Sequence, residues 1–253
     1  MSSAAQWART LWRRARHVLP LRSVRRLAPE DAYRLWSETY DSEADNVLLA
    51  LERHVFLGCL SDASVAGKVV VDIGCGTGRH WDSLLSRQPC QLHGVDTSAE
   101  MLARLRMRYP DARLHRRTGT RIGEFGDGCV DLVVSTLMLG YARDLRDELR
   151  EWTRLLRLGG EIIVTEFHPE ALRQGMMRTF VHRGKTYEIE HERFTVEELR
   201  SLFQSLHLEI VCFLERTLDE SVRASFERQN HTDAYFKGFG IPLVLGFRLR
   251  RAR

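Results

Sequence analysis

From residue 68 onward the chain alternates between two rhythms. KVVVDIG (68–74) is a run of β-branched residues ending in glycine, the pattern of a short strand buried on both faces. RHWDSLLSRQ follows with helical spacing, so the glycines between them lie on a strand-to-helix turn. CQLHGVD is a second short strand that ends in an acid. TSAEMLARLRMRY is an amphipathic helix opened by Thr97 or Ser98 as its cap. The order continues with strands at ARLHRR and CVDLVVS, a helix at RDLRDELREWTRLLR and a strand at GGEIIVTEF. Strands and helices alternating in this way imply a doubly wound α/β sheet with helices on both faces. No internal repeat or low-complexity tract interrupts it.

In such sheets ligands bind beyond the carboxyl ends of the strands. Gly74, Gly76 and Gly78 occupy that place, where glycine permits a sharp turn and a close backbone approach. Asp96 ends the second strand 22 residues after Gly74 and is placed to accept hydrogen bonds from both hydroxyls of a ribose. Asp72, beside the loop, is placed to hold the turn or a ligand amine. The combination predicts a nucleoside site. The dinucleotide fingerprint G-x-G-x-x-G is not met, because Arg79 stands where its last glycine belongs, and no G-x-x-x-x-G-K-[ST] loop is present.

Composition narrows the rest. With 253 residues and 43% hydrophobic content the chain is sized for one full core. No stretch reaches the roughly 18 apolar residues of a membrane span, and the first 20 residues lack the apolar run of a secretory signal. Five cysteines without a CxxC pair point to reduced thiols in a cytoplasmic protein rather than to disulfides or zinc. Residues 1–26 hold seven arginines and no acid, and RLRRAR at the end adds four. Removing those eleven charges from the net +4 leaves residues 27–247 at −7, which argues against a nucleic-acid channel through the body.

VDIGCGTG, GVDTSAEML and DGCVDLVVS together resemble class I S-adenosylmethionine-dependent methyltransferases, in particular the group that methylates small molecules (type 11-like). The resemblance is strong over about residues 68–167. It implies a mostly parallel seven-stranded sheet, with HLEIVCFLERTL and IPLVLGFRLRR as its final antiparallel pair. It implies S-adenosylmethionine as cofactor, with Gly74, Cys75 and Gly76, in the turn completed by Gly78, against its methionine part and ribose. Asp96 takes the ribose hydroxyls, Thr97 packs beside the adenine, and Met101 is helix core or borders the purine. An acid that reads the adenine amine is missing here: Gly119 or Thr120 takes its place, and backbone groups or the Thr120 hydroxyl substitute. Ser135 and Leu137 fall near the sulfonium or the adenosine, and Tyr141 stands where relatives often have histidine. Tyr33 and Tyr40 reach the methionine carboxylate or cap the cleft.

Methyl transfer needs alignment and exclusion of water, and a hydroxyl acceptor also needs a base. His168, in TEFHPEAL, is the first candidate for base or substrate contact, ahead of His80, His182 and His191. Residues 168–194 form an insertion of the kind that serves as an acceptor lid, with FVHRGKTYEIE as a hairpin turning at Arg183-Gly184. Met176, Met177, Phe180 and Tyr187 are its pocket candidates. The expected domains are a basic arm or helix over residues 1–27 and a methyltransferase domain over 28–253. The leading function is metal-independent methyl transfer to a small molecule, at a hydroxyl. The alternatives are a lipid or quinone methyltransferase whose arm (Trp7, Leu11, Trp12 and Val18 among arginines) makes peripheral membrane contact, an RNA methyltransferase that uses the basic ends as its electrostatic footprint, and a non-catalytic cofactor-binding partner subunit. Oligomeric state is left open.

Overall fold

The computed structural model describes residues 24–42, 46–229 and 231–252. Most of the basic arm, with Trp7, Leu11, Trp12 and Val18, lies outside them. In chain order the first elements are β1 (Arg25–Leu27), α1 (Pro29–Trp36), α2 (Val47–Leu60), β2 (Val69–Ile73) and α3 (Trp81–Leu85). Then come β3 (Gln91–Asp96), α4 (Ala99–Arg108), β4 (Arg113–Arg116), β5 (Val130–Thr136), α5 (Leu145–Leu155) and β6 (Leu156–Phe167). The last are α6 (Pro169–Arg173), β7 (Thr179–His182), β8 (Lys185–Ile189), α7 (Val196–Ser205), β9 (Leu208–Thr217), α8 (Arg223–Arg228), α9 (Thr232–Gly238) and β10 (Pro242–Arg251).

The large sheet has the order β4-β3-β2-β5-β6-β10-β9. Its first five strands are parallel, and β10 runs antiparallel between β6 and β9. The strand side chains alternate between two cores, as period 2 requires. Val70, Leu132, Val134 and Ile163 face α2, α3 and α4. Val71, Val133, Ile162 and Val164 face α5 and α7. Burial on both faces explains why β2 reads as valine and isoleucine apart from Asp72 near its carboxyl end. Several helices start on side-chain caps: Ser98 Oγ accepts from Met101 N, Asp144 from Asp147 N, and Thr195 and Glu198 form a reciprocal capping box. The helix after the glycine turn is shorter than its pattern predicts and is confined to Trp81–Leu85.

Residues 168–194 build α6 and the β7–β8 hairpin, whose turn residues Arg183 (φ +49°) and Gly184 (φ +73°) both take the left-handed conformation of a type I′ turn. β1 joins β8 in parallel, giving a three-stranded sheet β1-β8-β7. Residues 25–27, expected in the basic arm, are thus one strand of this small sheet. Leu27, Trp36, Phe180 and Ile189 form its small core, with Trp36 stacked on Phe180 at 5.2 Å. Phe180 and Tyr187 stack on each other inside this layer instead of lining an acceptor pocket, while Met177 is exposed. The arginines near the C-terminus are bound into β10: Arg250 pairs with Glu161 at 2.7 Å, and Arg251 donates to the carbonyls of Thr153 and Leu156.

Candidate active site

A cleft of about 550 Å³ opens at the carboxyl ends of β2, β3 and β5, within the size range of small-molecule sites. Its floor is the glycine turn. Gly74 (φ +73°) has no room for a side chain, since a Cβ there would lie 2.6 Å from Met138 Cγ. Gly76 (φ +52°) would meet nothing within 4 Å, so its backbone lies bare toward open space. Asp96 holds the turn: Oδ2 accepts from Gly76 N and Oδ1 from Ser98 N, both at 2.8 Å. Burial raises its carboxyl above the ordinary range, against the pull of these N–H donors. Asp72 accepts from Trp81 Nε1 at 2.9 Å, and burial pushes it up to about 7.

Asp72, Gly74, Cys75, Gly76, Asp96, Thr97, Met101, Thr120, Tyr40 and Tyr141 all line this one cleft. Three expected residues do not. Gly78 (φ +76°) sits under the turn, where a Cβ would press on Leu105 and Trp81 at 3.1–3.2 Å; its role is close packing. Ser135 is fully buried and donates to the Ile73 carbonyl at 2.8 Å, pinning β5 to β2. His168 is 5% exposed and off the cleft. It caps α6, its Nδ1 accepting from Glu170 N at 3.0 Å, and its Nε2 lies 2.7 Å from Glu215. Both ring nitrogens are engaged, and neither faces the space where a methyl acceptor would sit.

Two buried acids shape the cleft without any periodic signal in the sequence. Glu52, on the apolar helix α2, accepts from Arg79 Nη1 (2.5 Å), His80 Nε2 (3.0 Å) and Thr165 Oγ1 (2.6 Å). Burial alone would raise its pKa, but His80 and Arg79 beside it pull it well below the carboxylate range. The pair holds Arg79 at the cleft beside Tyr40, whose hydroxyl burial pushes up to about 12. Glu166, near the end of β6, accepts from Gly140 N (2.9 Å) and Phe167 N (2.7 Å) and faces His191 Nε2 at 3.4 Å. His191 Nδ1 lies 2.6 Å from the Glu192 carbonyl. A carbonyl and a carboxylate only accept, so the ring sits between two acceptors. It is a clamp on the segment after β8, closed further by Glu192 N donating to Gly140 O at 2.7 Å.

Beyond the glycine turn Tyr33 and Tyr141 meet edge to face, with hydroxyls 3.3 Å apart. Arg178 lies behind them, donating to Tyr33 Oη (3.3 Å) and to the Leu137 carbonyl (3.0 Å), with its guanidinium 5.2 Å from the Tyr141 ring centre. No carboxylate among the described residues lies within 4 Å of it. Burial raises the Tyr141 hydroxyl well above 10, so it stays protonated and serves as a donor.

These residues fit S-adenosylmethionine. The bare turn admits its backbone contacts, Asp96 has lone pairs left for a ribose diol, and Arg79 with Tyr40 offers donors for a carboxylate. A bound sulfonium places an electrophilic methyl group in the cleft. The fold and this site define a Rossmann-like, class I methyltransferase. Comparison with known proteins agrees. A methyltransferase domain family matches residues 71–164. An uncharacterized methyltransferase of Geobacillus kaustophilus is 30% identical over 190 residues, 68% of this chain and 85% of that protein. The malonyl-[acyl-carrier protein] O-methyltransferase of Halorhodospira halophila is 33% identical over 144 residues, 54% of this chain and 47% of that protein. A crystal structure of an S-adenosylmethionine-dependent methyltransferase from Mesorhizobium loti superposes with a TM-score of 0.62 at 20% identity, over 82% of this chain and 99% of that one. The chain spans less than half the length of several curated relatives it matches. It belongs to the S-adenosylmethionine-dependent methyltransferase family. No helix among the described residues is long and apolar enough to cross a membrane.

Proposed function

We propose that the protein transfers the methyl group of S-adenosylmethionine to an oxygen of a small-molecule acceptor. The observation that supports this most is the donor chain Arg178–Tyr33–Tyr141 at the end of the cleft beyond the glycine turn. Arg178 donates to Tyr33 Oη. The Tyr33 proton then goes to Tyr141 Oη, which frees the Tyr141 proton for a ligand. A hydroxyl donor backed by a buried cation suits an oxygen that carries negative charge, such as a phenolate, enolate or carboxylate. Such an acceptor is wholly or partly ionised before transfer and asks little of a base, consistent with His168 standing off the cleft. Tyr141 orients the acceptor oxygen, and α1 with the segment after β8, both of which line the cleft, shield it from water. A relative whose name is an O-methyltransferase supports the same atom.

The test is methyl transfer from labelled S-adenosylmethionine to a panel of phenols, enols, carboxylic acids, amines and thiols. Oxygen acceptors should be methylated, and Tyr141→Phe should raise their KM or lower kcat at least about tenfold, the worth of one hydrogen bond to a charged group. Turnover confined to amines or thiols would refute the proposal.

A further inference from the structure

The nucleoside end of the cleft holds a buried carboxylate that the ribose contact does not use. Glu148, in the first turn of α5, lines the cleft and is 3% exposed. Its Oε1 accepts from Arg117 Nη1 and from Trp152 Nε1, both at 2.8 Å. Its other oxygen has no donor among the described residues. A carboxylate has about four acceptor positions, and this oxygen is reached from the cleft that Glu148 lines. This oxygen stands ready for a donor from the ligand.

Its neighbours say which one. Arg117 N donates to the Asp96 carbonyl at 3.0 Å, so the end of β4, the ribose acid and Glu148 are one connected piece. Asp96 is committed to Gly76 N and Ser98 N, with its remaining lone pairs directed to hydroxyls. Beyond the ribose lies the base, and of the groups on an adenine only the exocyclic amine donates. The loop opposite, Thr118–Thr120, is exposed, and the Thr120 carbonyl already receives Arg117 Nη1 at 3.5 Å. A hydroxyl in that loop competes with water; the Glu148 carboxylate, 3% exposed, is largely shielded from it.

We propose that Glu148 accepts the adenine amine and thereby selects adenosyl over inosyl cofactors, Arg117 and Trp152 acting as positioning residues that fix its carboxylate. This rests on the reading of the cleft as an adenosyl site. In an inosyl ligand a carbonyl replaces the amine, and two acceptors then face each other in a buried place.

The experiment is calorimetric titration of the full chain with S-adenosylhomocysteine and with S-inosylhomocysteine. The wild type should prefer the adenosyl ligand by about 10- to 100-fold, as expected for leaving one buried charged acceptor unpaired. Glu148→Gln keeps an oxygen for Arg117 and Trp152 and turns the other position into a donor. The preference should then shrink to within about threefold or invert. A purely structural role would weaken both ligands by one factor and leave their ratio alone, and that outcome overturns the proposal. So does a wild type that binds both equally, a measurement that does not depend on the variant folding. Thr120→Ala is the control, and loss of the preference there instead would assign the contact to Thr120. Failure to bind either ligand would strike at the cofactor assignment itself.

Discussion

Replacing Asp72 with asparagine should stabilise the free protein and weaken its hold on the cofactor. The carboxyl ends β2 in a buried place. Burial raises its pKa to about 7 from an ordinary 3.8, with Asp96 and Glu52 adding to the rise and the Trp81 N–H and Arg79 opposing it. Unfolded, the same group ionises near 3.8. Between those values the folded chain holds one proton more than the unfolded chain, so stability falls as pH rises from 3.8 through 7 and is level above. A gap of roughly 3 pH units at 1.36 kcal/mol each makes ionised Asp72 cost about 4 kcal/mol above pH 7. At pH 5 only the first part of that gap has been crossed, and the cost is less than half as large. Asp72→Asn keeps an acceptor for Trp81 Nε1, which donates at 2.9 Å in the native protein, and removes the charge. Its melting temperature should rise most at pH 8–9, by at most about 8–16 °C at 2–4 °C per kcal/mol, and the gain should shrink on acidification.

The same charge is useful only when a cation arrives. The amine of the cofactor is protonated at neutral pH and is the natural counter-ion for Asp72. Binding of S-adenosylhomocysteine to the wild type near pH 7 should therefore release protons. Calorimetry in two buffers of different ionisation enthalpy measures the number, and the variant should release fewer and bind more weakly. Melting curves of variant and wild type that stay a constant distance apart from pH 5 to 9 would refute the argument.

Asp96→Ala removes the acceptor of Gly76 N and Ser98 N together with the ribose contact, and should raise the dissociation constant of S-adenosylhomocysteine at least about 100-fold in calorimetry; a change within threefold would contradict the ribose role. His168→Ala should cost about 0.5–2 kcal/mol of stability through the lost α6 cap while leaving turnover and cofactor affinity intact. A folded variant with lost turnover would place His168 in the chemistry after all. Gly140→Ala would put a Cβ 2.0 Å from His191 Nε2 and should expel that ring from Glu166, lowering stability by about 1–3 kcal/mol and reducing activity. An unchanged melting temperature would show that the clamp is slack.

The parallel sheet was legible because its central strands are buried on both faces and read as short, mainly apolar runs, and its helices carry caps. The cofactor side was legible for a related reason. Gly74 and Gly76 take positive φ and Asp96 holds their turn through Gly76 N, and such backbone demands leave marks at fixed spacings. The acceptor side obeys no such period. His168 looked catalytic because an imidazole follows a strand on the ligand side of the sheet, yet α6 starts at the next residue and turns the ring into a cap facing Glu215. His191 looked ordinary, and lies against the cleft because β8 joins β1 and carries the following segment back over Gly140. Glu52, Glu148 and Glu166 were passed over because an acid in an amphipathic or apolar run reads as solvated. Each is instead buried against an arginine or histidine more than 20 residues away in the chain. Such pairs are tertiary facts. A lone acid in a run that must be buried is nevertheless a signal, because burying a charge without a partner is expensive, so its partner has to be sought elsewhere. Applied to LLALERHVF and VTEFH, that rule points to the two buried acids that brace the cleft at Arg79 and His191.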